Sequence, residues 1–358
     1  MRAAVLREYG EPLDVTEVPD PTPAAHGIVV AVEACGLCRS DWHAWQGHGE
    51  WADDQVPTDY VLGHEPAGRV VEVGREVDRL ARGDRVAVPF NVGDGTCPAC
   101  RSGHGNVCAD GYALGFEADA PGAFAEYVHL PYADYNAMEL PDDVAFRDVA
   151  ALGCRFMTAY HGLADRAEVR AGEWVAVHGC GGVGLSAIQV ADAFGARVVA
   201  VDVRETALDR AAQNGADAVV DATGDGDDAT DVPAEIEAIT DGGADVSVDA
   251  LGRAETVRNS VACLRPRGRH VQLGITTDAE RGEVSLPTDA MTRWEIEFLG
   301  SRGMPPTRYD GLLSLLAAGD VDPGRLVGRE LSLDDVSDRL AAMTSYDSEG
   351  VEVVTQFG

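Results

Sequence analysis

The chain has 358 residues, too many for one ordinary hydrophobic core and enough for two domains. Its formal net charge of -33, from 61 acidic and 28 basic residues, repels nucleic acid and anionic lipid, so neither is expected as a partner. There is no run of about eighteen apolar residues, which argues against a helical membrane span. The start, Arg2-Ala3-Ala4-Val5-Leu6, reads as a strand and lacks a signal-peptide core, so a cytoplasmic protein is expected.

In chain order, Val5-Leu6, Leu13-Asp14-Val15 and residues 27–33 read as strands, the last by its alternation. Gly36-Leu37-Cys38-Arg39-Ser40-Asp41-Trp42-His43 then sets a thiol, a hydroxyl and an imidazole within one turn or loop. After an aromatic loop comes Gly63-His64-Glu65, followed by strand-like runs at 68–74 and 83–88. Cys97-Pro98-Ala99-Cys100 leads through Gly103 to Cys108. Two residues between thiolates let a tight turn bring both to one metal. Residues 122–128 read as a strand, and 148–160 as a helix that carries Cys154.

The chain then changes character. Residues 174–178 form a buried strand, Gly179-Cys180-Gly181-Gly182-Val183-Gly184 follows, and 185–194 is a helix. Strand 197–201 ends at Asp202. Helices at 207–214 and 233–240 alternate with strands at 218–220 and 245–249, and 270–274 and 296–300 supply the last strands. Such alternation is the mark of a doubly wound parallel sheet in an α/β chain.

Two groups of residues carry chemistry. Cys38, His64 and Cys154 are two sulfurs and one nitrogen, the donor set of a catalytic zinc with an open fourth position. Each alone also reads as a packed residue, since free cysteine behaves as a small hydrophobe. The glycine loop meets all the tests of a dinucleotide site: it follows a buried strand, opens a helix, and has an acid at the end of the next strand. Gly179 makes the turn, Gly181 lets the backbone approach a pyrophosphate, and Gly184 lets helix and strand pack closely, with Gly182 and Val183 at the helix N-terminus. Asp202 suits the ribose hydroxyls and opposes a 2′-phosphate, which favours NAD over NADP, although Arg204 softens that bias. Eight cysteines in a cytosolic setting point to metal rather than to disulfides.

Over nearly its whole length the chain resembles the medium-chain zinc-dependent alcohol dehydrogenases. The Cys38 block, the Gly63-His64-Glu65 triplet and the Gly179 loop are the most specific pieces. The resemblance implies a β-rich, GroES-like catalytic domain over 1–153, a Rossmann NAD-binding domain over 154–300, and a return to the first domain over 301–358. It implies zinc on Cys38, His64 and Cys154, with Asp41 fixing the histidine and Glu65 near the metal as a transient ligand. Ser40 and His43 fall where the family passes the alcohol proton out through the cofactor ribose. Arg39 matches a pyrophosphate contact and Thr158 a nicotinamide contact. Trp42, Trp51 and Phe90 are candidate pocket walls, with ordinary packing as the alternative.

The family's four-cysteine lobe is altered here. Cys97, Cys100 and Cys108 fall on three ligand positions of a structural zinc and Asp94 on the first. His104 is a competing fourth ligand, and a lobe without metal is the third reading. The implied activity is hydride transfer between a small alcohol or aldehyde and NAD, in a homo-oligomer, dimer or tetramer. A polyol or sugar dehydrogenase of the same superfamily is the alternative. Zinc-free quinone reductases lack the Cys38, His64 and Cys154 set, and a zinc-ribbon nucleic-acid binder fails on charge.

The basic residues are all arginine, and the acids are dispersed apart from a dense patch from Asp221 to Asp231. That imbalance favours a chain built for a concentrated salt interior over an ordinary acidic protein. The chain should therefore lose structure in dilute buffer and recover it in molar KCl. Equal melting temperatures at low and high salt would remove the inference.

Overall fold

The computed structural model describes residues 1–48, 55–224, 230–345 and 350–358. Trp51 and part of the acidic run at 221–231 lie outside the described residues. The chain divides into two compact units: Met1–Met157 with Gly303–Asp310 and Pro323–Gly358, and Thr158–Arg302 with Gly311–Asp322.

The first unit is built on strand Ile28–Leu37, which is longer than its alternating stretch. It pairs antiparallel with Glu65–Val73 on one side, and with Tyr127–Leu130 and Val351–Gln356 on the other. The register sets Gly36 opposite Glu65. Antiparallel pairing therefore brings Cys38, just past the end of one strand, beside His64, just before the start of the other. Leu6, Ile28, Leu62, Phe124 and Leu130 are fully buried around this frame. Gly63 has φ +99°, and a Cβ there would lie 2.7 Å from the Phe124 nitrogen, so glycine is needed for the chain to turn into His64 over the core.

Two expectations change. The strand expected at 122–128 starts at Tyr127. Gly122 instead packs against a neighbouring loop, where a Cβ would lie 2.4 Å from the Gly63 carbonyl oxygen. The helix expected at 148–160 is broken. Phe146–Val149 passes into a 3-10 turn at Ala150–Gly153, and Cys154, at φ -138° and ψ -67°, separates that turn from helix Arg155–Tyr160. The cause is close approach to the sheet: Phe90 N–H donates to the Gly153 carbonyl at 3.2 Å, and a Cβ at Gly153 would sit 2.6 Å from the Val88 carbonyl. Apolar spacing alone did not reveal that contact.

The second unit holds a six-stranded, wholly parallel sheet. Across it the strands run Ala218–Asp221, Arg197–Asp202, Trp174–His178, Ala244–Asp249, Leu264–Gln272 and Glu297–Gly300. In chain sequence that is the order 3-2-1-4-5-6 of a dinucleotide-binding sheet, which reverses beside Trp174–His178. Helices Ala254–Ala262 and Thr288–Trp294 add to those read from sequence. The segment Gly311–Asp322 belongs here. Gln189 Nε2–H donates to the Asp322 carbonyl at 3.1 Å, and a Cβ at Gly311 would meet the Tyr160 hydroxyl at 2.1 Å. No described helix is long and apolar enough to cross a membrane.

Candidate active site

Helix Arg39–Trp45 begins on Cys38. Its third residue, Asp41, accepts the Cys38 backbone N–H on Oδ2 at 2.8 Å, closing a capping box. The other oxygen, Oδ1, lies 2.7 Å from His64 Nδ1. An ionised carboxylate accepts, so Nδ1 carries a proton. Burial lowers the His64 pKa, but Asp41 and Cys38 together raise it well above the ordinary imidazole value, and a metal would bind at Nε2 in place of a proton. His64 is fully buried and its Nε2 has no hydrogen-bond partner. One donor atom each from Cys38, His64, Glu65 and Cys154 lies within 4.8 Å of the others, and all four residues are buried. A partnerless buried imidazole nitrogen beside two thiols fits zinc, and a water-filled or apolar pocket would not use these groups.

The two thiols are shifted in opposite directions by the bond between them. A hydrogen bond from the Cys154 thiol holds Cys38 well below the usual thiol range against burial, with help from the Arg155 guanidinium and His64. The same bond, and then burial, push Cys154 well above it. A dication would take the place of the proton in that bond. Burial raises the Glu65 carboxyl against the pull of Arg155, and a dication held by the neighbouring ligands would lower it again and favour the carboxylate.

Ser40 Oγ lies 3.9 Å from Cys38 Sγ, at the edge of the same pocket. His43 sits one turn along, its Nδ1 3.1 Å from His48 Nδ1. The Phe90 ring stands edge-on to the His64 ring at 5.9 Å. Trp42 does not join that wall: its ring contacts His43 and His48, and its Nε1–H donates to Thr344 Oγ1 at 3.0 Å. Arg39 stacks over Trp42 at 3.5 Å and its Nη1–H donates to the Met343 carbonyl. Thr158 is buried four residues past Cys154.

In the second unit, Gly181 caps helix Gly182–Ala193. Nothing stands within 4 Å of where its Cβ would be, so a phosphate can approach the backbone there. Gly179 has φ +93°, and a Cβ on Gly184 would lie 1.8 Å from the Gly179 carbonyl oxygen, so the turn and the helix packing both require glycine. Asp202 accepts the Cys180 N–H on Oδ2 at 2.9 Å and the Arg204 N–H on Oδ1 at 3.0 Å. Its carboxylate is thereby fixed at the strand end, beside the loop. These features fit a dinucleotide.

In the lobe, donor atoms of Asp94, Cys97, Cys100 and Cys108 also lie within 4.8 Å of one another, and His104 is not among them. Cys97 and Cys108 are unbonded thiols at 3.6 Å, and Cys108 Sγ is 3.3 Å from Asp94 Oδ1. Backbone N–H groups of Cys100 and Asp94 donate to the sulfurs of Cys97 and Cys108, each at 3.4 Å. The Thr96 hydroxyl and then the Cys97 N–H hold the Asp94 carboxyl well below the usual carboxylate range. Its charge is present at neutral pH and lost only as pH falls through that lowered value. Three sulfurs and one oxygen so arranged fit a tetrahedral zinc.

Residues 24–142 match the alcohol dehydrogenase GroES-like domain, and residues 182–318 match the zinc-binding dehydrogenase domain. The chain is 33% identical to the NAD-dependent alcohol dehydrogenase of Sulfurisphaera tokodaii over 99% of each chain. It belongs to the zinc-dependent alcohol dehydrogenase family. A solved crystal structure of an NAD-dependent alcohol dehydrogenase superposes with a TM-score of 0.88 at 31% identity, over 99% of each chain. The sorbitol dehydrogenase of Bacillus subtilis is 30% identical over 99% of this chain and 96% of that one.

Three residues of this dehydrogenase site escaped the sequence reading. Phe116 lies 4.8 Å from the His64 ring, His48 meets His43, and Arg155 pairs with Glu65 at 2.7 Å. Only the arginine had a local signal, its place next to Cys154. The lobe yields a test. Asp94→Ala should weaken the second zinc by more than the roughly 10–100-fold that loss of a supporting contact costs, and should lower the melting temperature. Metal analysis of wild type showing one zinc per chain would count against that role.

Proposed function

We propose that this zinc-dependent alcohol dehydrogenase transfers hydride between small alcohols or aldehydes and NAD, with its metal chemistry in the first unit and dinucleotide binding in the second. The observation that carries the reading is the partnerless Nε2 of His64 facing the thiols of Cys38 and Cys154. A zinc ion held there supplies a Lewis acid that lowers the pKa of the substrate hydroxyl, and NAD supplies the hydride acceptor.

The protein's own groups do the rest. Cys38 and Cys154 bring negative charge, and Asp41 keeps His64 in the ligating tautomer. Phe90 and Phe116 line the His64 ring and exclude water from it. Ser40 Oγ accepts the alcohol proton as it gives up its own, and His43 receives the proton that leaves for solvent. A proton taken on His43 Nε2 is stabilised when its Nδ1–H donates to His48 Nδ1. In the second unit Gly179, Gly181, Gly182, Val183 and Gly184 bind the pyrophosphate, Asp202 binds the ribose and Thr158 supports the nicotinamide; Arg39 matches a pyrophosphate contact by the family resemblance.

The aromatic lining favours simple alcohols. The likeness to a sorbitol dehydrogenase keeps polyols as the second reading, and a panel of alcohols and sugars assayed for NADH formation separates them. The charge of -33 supports a salt-rich cytoplasm as the working environment. Strand Glu297–Gly300 closes the second sheet with Phe298 and Trp294 exposed beside it, which suits pairing with a second copy.

Cys154→Ser should abolish turnover while NADH still binds, as titrated by fluorescence. Turnover that survives stoichiometric zinc removal in wild type would sink the mechanism. His43→Gln tests the proton exit. The task needs a neutral imidazole, so wild-type oxidation should fall as pH drops below the ordinary imidazole value of about 6.5. The variant should be slow near neutrality and approach wild type at high pH, where hydroxide takes the proton directly. A loss uniform across pH would make His43 a packing residue.

A further inference from the structure

Arg155 follows the third metal ligand directly and is buried with it. Its guanidinium is anchored at two points. Nη2–H donates to the carbonyl of Leu37, the residue before Cys38. Nη1 lies 2.7 Å from Glu65 Oε2, an ion pair by distance without hydrogen-bond alignment. The Arg155 backbone N–H donates to the other oxygen, Oε1, at 3.2 Å. Gly36 makes room for this pair. A Cβ there would lie 2.3 Å from Glu65 Oε2 and 3.2 Å from Arg155 Nη1. One arginine thus grips both strand ends that deliver Cys38 and His64.

The Glu65 carboxylate has a second place to go. It lies in the same cluster as the three ligands, with an oxygen within 4.8 Å of each donor. Zinc accepts carboxylate oxygen as well as imidazole nitrogen. A carboxylate that took the fourth position would close it to substrate. We propose that Arg155 is a positioning residue that holds the Glu65 carboxylate off the fourth position of the catalytic metal. The inference rests on Cys38, His64 and Cys154 being the metal ligands.

The reasoning is electrostatic. A buried carboxylate must keep a positive partner. The planar guanidinium offers donors in fixed directions, and its second anchor at Leu37 keeps it from following the carboxylate. Without it, the metal becomes the nearest cation, and the carboxylate moves onto it.

Cobalt(II) in place of zinc reports coordination through its visible bands, and imidazole probes the open position. Imidazole should bind wild-type cobalt enzyme and shift those bands. Arg155→Gln should weaken that binding about tenfold or more, because the released carboxylate competes with imidazole for the same position. Adding Glu65→Gln to the same chain should restore it, which no merely structural role of the arginine would produce. Arg155→Lys, which keeps the charge without the fork, should fall between, and it carries the same test if Arg155→Gln does not fold. Unchanged imidazole affinity overturns the proposal, and so does a loss that Glu65→Gln fails to restore. An imidazole-sensitive spectrum that survives Cys38→Ser and Cys154→Ser would instead defeat the assignment of the metal ligands.

Discussion

The Asp41 carboxylate is wholly removed from water, and both of its oxygens hold the frame of the metal site. One accepts from the backbone of Cys38 and the other from the ring of His64. Leaving such a charge buried without partners would cost several kcal/mol, so its two donors are required for the fold as well as for the chemistry. The same carboxylate starts a helix, orders the first ligand loop and selects the tautomer of the second ligand. The third ligand arrives by a different route, on a helix broken at Cys154 because Gly153 is drawn onto the sheet.

Charge around the centre is arranged in opposed pairs. Glu65 faces Arg155, and on the adjoining strand Glu352, also buried, receives a two-pronged contact from Arg339 at 2.9 and 2.6 Å. Glu352 lies opposite Leu37, so both arginines stand near the strand that ends at Cys38. Buried pairs of this kind add little net stability against an apolar replacement. Their effect is to fix where charge sits, because removing either partner strands the other in a dry interior. In a chain without lysine every such cation is a guanidinium, whose planar donors hold a direction that an ammonium does not.

How much of this was legible follows from which contacts are local. The glycine loop and its acid lie within a short stretch, and their spacing carried their chemistry, whereas the part of Asp41 came from the family resemblance. The alternation of strands and helices likewise announced a parallel sheet, while the order across it came from the structure. Cys38, His64 and Cys154 come from distant segments, and the family resemblance named them as a set. Arg155 had only its place beside Cys154 as a signal, His48 meets His43 from five residues away, and Phe116 acts through a contact across the fold that a single sequence does not show. The break at Cys154 belongs to the same class: apolar spacing continues through 148–160, while a carbonyl of the neighbouring strand forbids a continuous helix. For Trp42 the sequence left a pocket wall and ordinary packing open, and its contacts with His43, His48 and Thr344 were not readable from the Cys38 block.

The surface poses a different physical problem from the interior. Acids outnumber bases by 61 to 28, and exposed pairs such as Arg7 with Asp14 and Asp59 offset only a small part of the repulsion. The outer edge of the second sheet combines that charge with apolar rings. Phe298 and Trp294 are 41% and 49% exposed, and Glu295 and Glu297 flank them in sequence. A second copy meeting this edge would bury the rings and face like charge at the same time. Burial of apolar surface depends weakly on screening, whereas the repulsion fades as the Debye length shrinks from about 10 Å at 0.1 M salt to about 3 Å at 1 M. Assembly through the edge would therefore be tied to ionic strength.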